Sequence, residues 1–301
     1  MSGSPRPAVT GWQTAELHRG KLEFTTAGGL GSALRDGFFY IRRPAGLHLS
    51  AGDRFARSFY RPADGHDAYR GYRDWTADRL GDHQGYFRRT DDQTEQFFLE
   101  STWWDRIYPA DLARQAADMR DFALDVQRAV LARLDLPRPL WDEATGYSLT
   151  PRGTHTLTFN HFRPHVAARG LNVHKDSDWV TVLRSVEPGL EVARDGAWHP
   201  IDPLPGTFIV NFGCAMEILT RHTATPVAAV AHRVVRQPDT GACKPDRFSY
   251  ALFVDSTLDR DLCPGLMRYQ PGDGLHLEAD FRRFLDDILA NTYRQDGAGL
   301  Y

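Results

Sequence analysis

Between residues 154 and 255 the chain is a succession of short β-type segments separated by turn residues, and this pattern limits the fold more than any other feature. The segments, in order, are THTLTFNHF, NVHKDSDWVTVL, GLEVA, WHPI, GTFIVNF, PVAAVAHRVV and RFSYALFV. Turn signals separate some of them, such as Arg194-Asp195-Gly196 and Pro205-Gly206. Many short strands of this kind predict a sandwich or barrel, such as the double-sheet jelly roll.

Helical patterns flank this β-rich segment. Apolar residues recur every three or four positions over 109–134, which predicts a helix about 39 Å long. A shorter helix is expected to begin at Ser50, GFFYIRR at 37–43 predicts an aromatic strand, and 278–293 returns to helical spacing. We therefore expect an α+β fold with a mainly β core flanked by helices, in a single domain. Its expected parts are a flexible tail (1–10), a helix-rich N-terminal part (11–153), the core (154–255) and a C-terminal helix and tail (256–301).

Composition excludes several classes of partner. The net charge of −3 gives no reason to expect binding to nucleic acid or to an anionic membrane surface. No stretch approaches the roughly 20 apolar residues that span a membrane, and the N-terminus lacks an apolar signal-peptide core. The three cysteines show no CxxC spacing and suit a reducing compartment. We expect a cytoplasmic protein; the sequence does not indicate its oligomeric state.

Two histidines and one aspartate form a candidate metal site. His174 and Asp176 lie two positions apart in a β-type segment, so their side chains are expected on one face. His232 lies in a later β-type segment, where it alternates with Val230 and Val234. Two histidines and one carboxylate on one face of a metal, with the other positions open, is the arrangement of non-heme Fe(II) oxygenases.

Other histidines compete for these roles. His276 and Glu278 repeat the His-x-acid spacing, but they precede the last helical pattern, where Glu278 would stabilise a helix N-terminus. His222 could replace His232, although it lies in the polar, turn-like stretch TRHTATP. Taken alone, a histidine on an apolar strand face is usually a hydrogen-bonded core residue.

Arg247 and Ser249 share a strand face with Ala251 and Phe253, so a guanidinium is expected to point into the core. A buried arginine is costly without an anionic partner. A carboxylate ligand held by Arg247, with a further bond from the Ser249 hydroxyl, would offset that cost. A salt bridge to a protein carboxylate would do the same, and this strand alone does not separate the two.

In this order the segments resemble the isopenicillin N synthase-like Fe(II)- and 2-oxoglutarate-dependent dioxygenases. The resemblance covers most of the chain from about 30 to 255 and is carried by GFFYI, NHF at 160–162, HKDSDWVTVL, PGLEVARDGAWHPIDPLPGTFIVNFG, HRVV at 232–235 and RFSYALF. It implies a distorted double-stranded β-helix (jelly roll) in which His174, Asp176 and His232 bind iron. Arg247 and Ser249 would bind the distal carboxylate of 2-oxoglutarate.

The chain departs from the resembled pattern at Asn160-His161-Phe162, where relatives often have Asn-Tyr-Tyr. His161 is predicted to replace the missing tyrosine near the cosubstrate. Arg70 lies in Tyr69-Arg70-Gly71-Tyr72, which could line a substrate pocket or form a solvated turn with packed aromatics. The tryptophans Trp103, Trp104 and Trp179 are expected in the core. The residues predicted to contact the substrate are Arg70, Asn160, Phe162 and Lys175.

The resemblance implies an enzyme that uses Fe(II), 2-oxoglutarate and O₂ to oxidise an unactivated C–H bond of a small molecule. Hydroxylation, desaturation and cyclisation are all open, and specialised metabolism, such as antibiotic biosynthesis, is the expected setting. An oxidase of the same fold that does not use 2-oxoglutarate stays open, because such relatives keep the Arg-x-Ser pair. A third hypothesis is a non-catalytic jelly-roll binding protein in which the histidines are structural.

Overall fold

The structure is a computed structural model that describes residues 11–241, 244–280 and 283–284. Its strands are β1 (Thr14–His18), β2 (Lys21–Phe24), β3 (Phe38–Arg42), β4 (Gly85–Arg88), β5 (Thr94–Glu100), β6 (Thr154–Phe162), β7 (Leu171–His174), β8 (Val180–Ser185), β9 (Leu190–Arg194), β10 (Ala197–Ile201), β11 (Thr207–Phe212), β12 (His232–Val234), β13 (Phe248–Asp255), β14 (Leu266–Gln270) and β15 (Gly274–Ala279). Its α-helices are α1 (Gly29–Asp36), α2 (Ser50–Ala56), α3 (Ala77–Leu80), α4 (Trp104–Ile107), α5 (Ala110–Leu131), α6 (Trp141–Ala144) and α7 (Cys214–Thr220). The predicted α+β class with a mainly β core is confirmed.

Two sheets carry the core of the fold. The larger sheet has the strand order β2-β1-β3-β11-β8-β13-β6-β5-β4, and the smaller sheet has the order β10-β9-β12-β7. Paired strands are antiparallel except β1 and β3, which are parallel. Side chains of both sheets line one cavity. This two-sheet arrangement is the distorted jelly roll that the sequence predicts.

The long helix α5 supports the outer face of the larger sheet. It begins after Pro109 and buries the predicted apolar face, including Leu112, Met119 and Val126. It contacts α2, β8 and β13. The helix predicted to begin at Ser50 is confirmed as α2, whose Phe55 ring packs 4.6 Å from the ring of Phe159. These contacts hold the back of the sheet whose front lines the cavity.

The N-terminal part is less helical than expected, because five of the strands, β1–β5, lie before residue 153. β4 and β5 come from the stretch 60–108, which the sequence left unassigned. In β5 the segment TEQFFLE is buried along nearly its whole length. A strand buried on both faces lacks the alternation of polar and apolar residues that identifies a half-exposed strand.

The C-terminal prediction is partly wrong. Most of the predicted helix over 278–293 lies outside the described residues, but Glu278 belongs to strand β15. Its carboxylate accepts a hydrogen bond from Arg268 Nε at 3.2 Å, across the β14–β15 hairpin. Glu278 therefore does not lie at a helix N-terminus. The predicted tail over 1–10 also lies outside the described residues.

Candidate metal and cosubstrate site

His174, Asp176 and His232 converge at one end of the smaller sheet. His174 is the last residue of β7, and it lies directly opposite His232, the first residue of β12. Asp176 follows β7 in the connection to β8, so the predicted shared strand face is wrong although the convergence is present. One ligand atom from each residue can be chosen so that all three lie within 4.8 Å of one another. Each residue is also largely buried, which suits a site closed to bulk water.

Backbone contacts orient both imidazoles. His174 Nδ1 lies 2.9 Å from the carbonyl of Asn172, and His232 Nδ1 lies 3.1 Å from the carbonyl of Val230. An Nδ1–H that donates to a carbonyl leaves Nε2 as a lone-pair donor. The two Nε2 atoms lie 3.7 and 3.5 Å from Asp176 Oδ1. These separations exceed hydrogen-bond length and suit three ligands of one cation.

The larger sheet fixes the carboxylate of Asp176. Its Oδ2 accepts hydrogen bonds from the Thr181 hydroxyl at 2.7 Å and from Asn211 Nδ2 at 3.3 Å, which leaves Oδ1 facing the histidines. Burial acts to raise the pKa of Asp176, but the histidines and these hydrogen bonds outweigh it and lower the pKa. Burial, followed by the proximity of His232, lowers the pKa of His174 to about 4. Both groups are thus in their metal-binding protonation state at neutral pH.

Arg247 presents an unpartnered donor inside the fold. Its Nε donates to the carbonyl of Pro188 at 3.2 Å, and its Nη2 donates to the Ser185 hydroxyl at 3.3 Å. Nη1 is buried with no hydrogen-bond partner, and the carboxylate of Glu187 acts on the guanidinium through its charge without accepting a hydrogen bond from it. Burial lowers the pKa of Arg247 to about 10. A buried guanidinium with a vacant donor fits a ligand carboxylate, which favours the ligand reading over a protein salt bridge.

The structure contradicts the prediction that His161 binds the cosubstrate. Successive side chains of β6 point to opposite faces, so Asn160 lines the cavity and His161 does not. The His161 ring stacks on Tyr60 at 3.6 Å, with Nδ1 2.8 Å from Glu95 and Nε2 3.0 Å from Asp246. These partners make His161 a structural residue behind the sheet.

Of the other residues predicted to contact the substrate, one lines the cavity and two do not. Lys175 lines the cavity and donates to Glu217 at 3.1 Å. Phe162 is fully buried beneath Arg247 and does not line the cavity, whereas Arg70 is ion-paired with Asp64 away from it. Trp104 and Trp179 are core residues as predicted, but Trp103 lines the cavity.

The cavity has a volume of about 560 Å³ and is walled by both sheets and by residues of the segment 77–89. Sequence reasoning missed most of its floor, which is formed by inward-facing positions of adjacent strands. The alternation within THTLTFNHF and RFSYALFVD was the available signal. The missed floor residues are Gln96, Phe98, Glu100, Thr154, Thr156, Thr158, Thr181, Leu183 and Asp255.

The cavity lies inside a jelly roll and has two histidines and one carboxylate on one side of a potential ion, with a buried arginine nearby. This combination is typical of non-heme iron oxygenase sites. Comparison with known proteins agrees, since residues 153–256 match the 2OG-Fe(II) oxygenase superfamily. The matched segment carries most of the candidate site, including the triad, Arg247 and Ser249. Fe(II) and 2-oxoglutarate are therefore the cofactors implied, and the triad and Arg247 Nη1 fit them.

Individual relatives match over parts of the chain. Protein SRG1 of Arabidopsis thaliana is 36% identical over 32% of this chain and 25% of its own length. The oxoglutarate-dependent flavonoid 7-O-demethylase 1 of Ocimum basilicum is 30% identical over 39% of this chain and 31% of its own length. The chain thus spans less than half the length of these relatives.

A solved structure supports the fold over nearly the whole chain. The rice dioxygenase for auxin oxidation has a TM-score of 0.66 and 21% identity, and the match covers 96% of this chain and 98% of that one. Within the part of the chain that is described, no helix combines the length and apolar character needed to cross a membrane.

Proposed function

We propose that this chain is an Fe(II)- and 2-oxoglutarate-dependent oxygenase that oxidises a C–H bond of a small molecule. The observation that carries the proposal is that one cavity contains both the converging His174, Asp176 and His232 atoms and the buried guanidinium of Arg247. A purely structural role for the triad leaves this vacant guanidinium donor unexplained.

The proposed roles follow from the contacts. His174, Asp176 and His232 hold the iron from one side, which leaves its other positions open to the cavity. Arg247, directly before β13, and Ser249, two positions later in that strand, both line the cavity and bind the distal carboxylate of 2-oxoglutarate. When bound, iron and 2-oxoglutarate supply the oxygen activation, while the buried sheet residues around the triad limit the access of water.

A small organic substrate suits the cavity, because about 560 Å³ lies within the usual range for such ligands. Relatives named for demethylation of a flavonoid and of thebaine support specialised metabolism as the setting. Antibiotic biosynthesis and a cytoplasmic location stay predictions from the sequence. Hydroxylation, desaturation and cyclisation remain alternatives within the proposal, since the substrate carbon nearest the iron decides among them.

Anaerobic spectroscopy tests the site directly. Adding Fe(II) and 2-oxoglutarate to the metal-free protein should produce a visible charge-transfer band. We expect His174→Ala to lose this band and His276→Ala, which alters the competing motif, to retain it. A wild-type protein without the band would contradict the proposal.

Aerobic turnover then separates the oxidase alternative. An oxygenase of the proposed kind releases succinate in proportion to oxidised substrate, whereas an oxidase of the same fold turns over without added 2-oxoglutarate. Substrate oxidation at an unchanged rate in the absence of 2-oxoglutarate would favour the oxidase.

A further inference from the structure

The cavity floor is an ordered grid of side chains from four adjacent strands of the larger sheet. Thr181, Phe253, Thr156 and Glu100 are aligned across β8, β13, β6 and β5 in one row. The neighbouring row toward Arg247 contains Leu183, Ala251, Thr158 and Phe98, and the row beyond it contains Ser249, Asn160 and Gln96. On the opposite side of the first row, Asp255 pairs with Thr154. All of these residues line the cavity.

The grid places opposite charges at opposite ends of the cavity. Arg247, directly before β13, and Asp255, its last residue, share one face and are eight residues apart, which corresponds to about 26 Å along an extended chain. The proposed cosubstrate carboxylate occupies the Arg247 end. The far end contains two carboxylates, Asp255 and Glu100.

These two carboxylates have no counter-charge in the described protein. Among the described residues no cation lowers the pKa of either carboxyl group, and Asp255 Oδ1 is buried without a hydrogen-bond partner. Burial raises the pKa of Glu100, and no cation acts on it. Burial, then the charges of Asp176 and Glu100, raises the pKa of Asp255 to about 7. The cavity cations Arg89 and Lys175 are instead bound to Asp92 and Glu217.

Aromatic residues accompany the acidic end. Phe253 lies in the same row as Glu100, Phe98 lies two positions before Glu100 on the same face of β5, and Trp103 follows three residues later in the cavity wall. Aromatic faces attract organic ammonium groups, whereas hard metal ions require six or more oxygen ligands. The surroundings therefore favour an organic cation over a second metal ion.

We propose that the substrate carries a basic amine, bound as a cation between Glu100 and Asp255 at the end of the cavity remote from Arg247. This inference rests on the proposed oxygenase function. Thr181, which donates to the ligand Asp176, is three strand spacings from Glu100, or about 14 Å. Asp255 is nearer, because Phe253, its neighbour on the same face, pairs directly with Thr181, so the amine lies between Glu100 and the metal site.

Matched probes of equal shape and different charge test the inference. Dissociation constants are measured by anaerobic calorimetry on the protein loaded with Fe(II) and 2-oxoglutarate. The probes are tryptamine, tryptophol and indole-3-propionate, with phenethylamine and 2-phenylethanol as a smaller pair. We expect each amine to bind at least ~10-fold more tightly than its alcohol, and indole-3-propionate to bind most weakly.

Isosteric variants identify the side chains that cause the preference for amine over alcohol. Glu100→Gln and Asp255→Asn should each weaken tryptamine binding ~10-fold and leave tryptophol binding unchanged. The control Asp118→Asn, on the exposed face of α5, should leave the binding of both probes unchanged. Equal affinity of wild-type protein for amine and alcohol overturns the inference even if a variant fails to fold. An intact charge-transfer band with no amine preference overturns the amine site alone. An amine preference without the band supports the cation site and contradicts the oxygenase proposal.

Discussion

At the scale of single residues, Arg247 connects burial most directly with ligand binding. Its guanidinium donates only to neutral oxygen atoms, and Nη1 has no partner. We expect Arg247→Leu to weaken 2-oxoglutarate binding ~10- to 100-fold, because a charge-assisted carboxylate contact is lost. Titration of the anaerobic charge-transfer band with 2-oxoglutarate measures this affinity.

Two further variants control this prediction. Arg247→Lys keeps the charge but loses the planar donor pair, so its affinity should fall between wild type and Arg247→Leu. Arg70→Leu should leave the affinity unchanged, because Arg70 is paired with Asp64 outside the cavity. An unchanged dissociation constant in Arg247→Leu would remove Arg247 from the cosubstrate site.

The sequence could predict residues whose spacing or chemistry is unusual. His174 and Asp176 could be predicted from their spacing of two residues, and Arg247 could be predicted because it is a charged residue in an apolar strand. His161 was misplaced because its neighbour Asn160 occupies the inward position, and one step along a strand reverses the face. Glu100 carries no local signal, since only the pairing of β5 with β6 and of β6 with β13 brings it into the cavity. Alternation along RFSYALFVD could have placed Asp255 on the face of Arg247.

At the scale of elements, the contact between α2 and its neighbours depends on the absence of a side chain at Gly52. A Cβ there would lie 2.8 Å from the Tyr250 ring and still closer to the Gln115 amide. The Gly52 amide also donates to Gln115 Oε1 at 2.8 Å. We expect Gly52→Ala to lower the free energy of unfolding by about 1–3 kcal/mol through overpacking.

Gly31 in α1 is the matched control for this substitution. A Cβ at Gly31 meets only the end of the Arg35 side chain at 3.5 Å, an ordinary contact. Gly31→Ala should raise the free energy of unfolding by roughly 0.5–1 kcal/mol through helix propensity. Urea denaturation measures both variants, and a stabilised Gly52→Ala protein would show that the α2 contact is looser than described.

Strand β6 has polar side chains on both faces, and the buried His155 lies on its outer face. His155 Nε2 lies 2.9 Å from the Ser148 carbonyl, and burial lowers the pKa of His155. The unfolded chain therefore binds a proton more readily than the folded chain, so stability is lost as the pH falls through about 6.5. One full proton of difference would set an upper limit of ~1.4 kcal/mol per pH unit for this slope.

Replacing His155 isolates this effect from the other histidines. His155→Gln can still donate to Ser148, and its stability should fall less steeply than that of wild type between pH 7 and pH 5. His66→Gln, at an exposed position, should match the wild-type slope. Urea denaturation across this range gives both slopes, and an unchanged slope in His155→Gln would show that His155 titrates normally in the fold.

At the scale of the whole molecule, the jelly roll could be anticipated because turn signals divide the β-rich segment into short strands. The mixed N-terminal part could not, since β5 is defined by its pairing with β6 and by burial on both faces, and β4 is defined by its pairing with β5. Contacts between residues far apart in the sequence also join the two sheets at the candidate metal site. Asp176 is hydrogen-bonded to the larger sheet, while both histidines belong to the smaller one.

Metal binding at this junction should therefore stabilise the fold as a whole. A ligand that binds only the folded state adds about 2.7 kcal/mol at 100 times its dissociation constant. We expect Mn(II), which holds the site without turnover, to raise the urea midpoint of the wild-type protein and EDTA to reverse the change. His232→Ala should abolish the shift, whereas His222→Ala, at an exposed position, should keep it. If His232→Ala responded to Mn(II) as wild type does, the stabilising metal would bind elsewhere, and the triad would lose its assigned role.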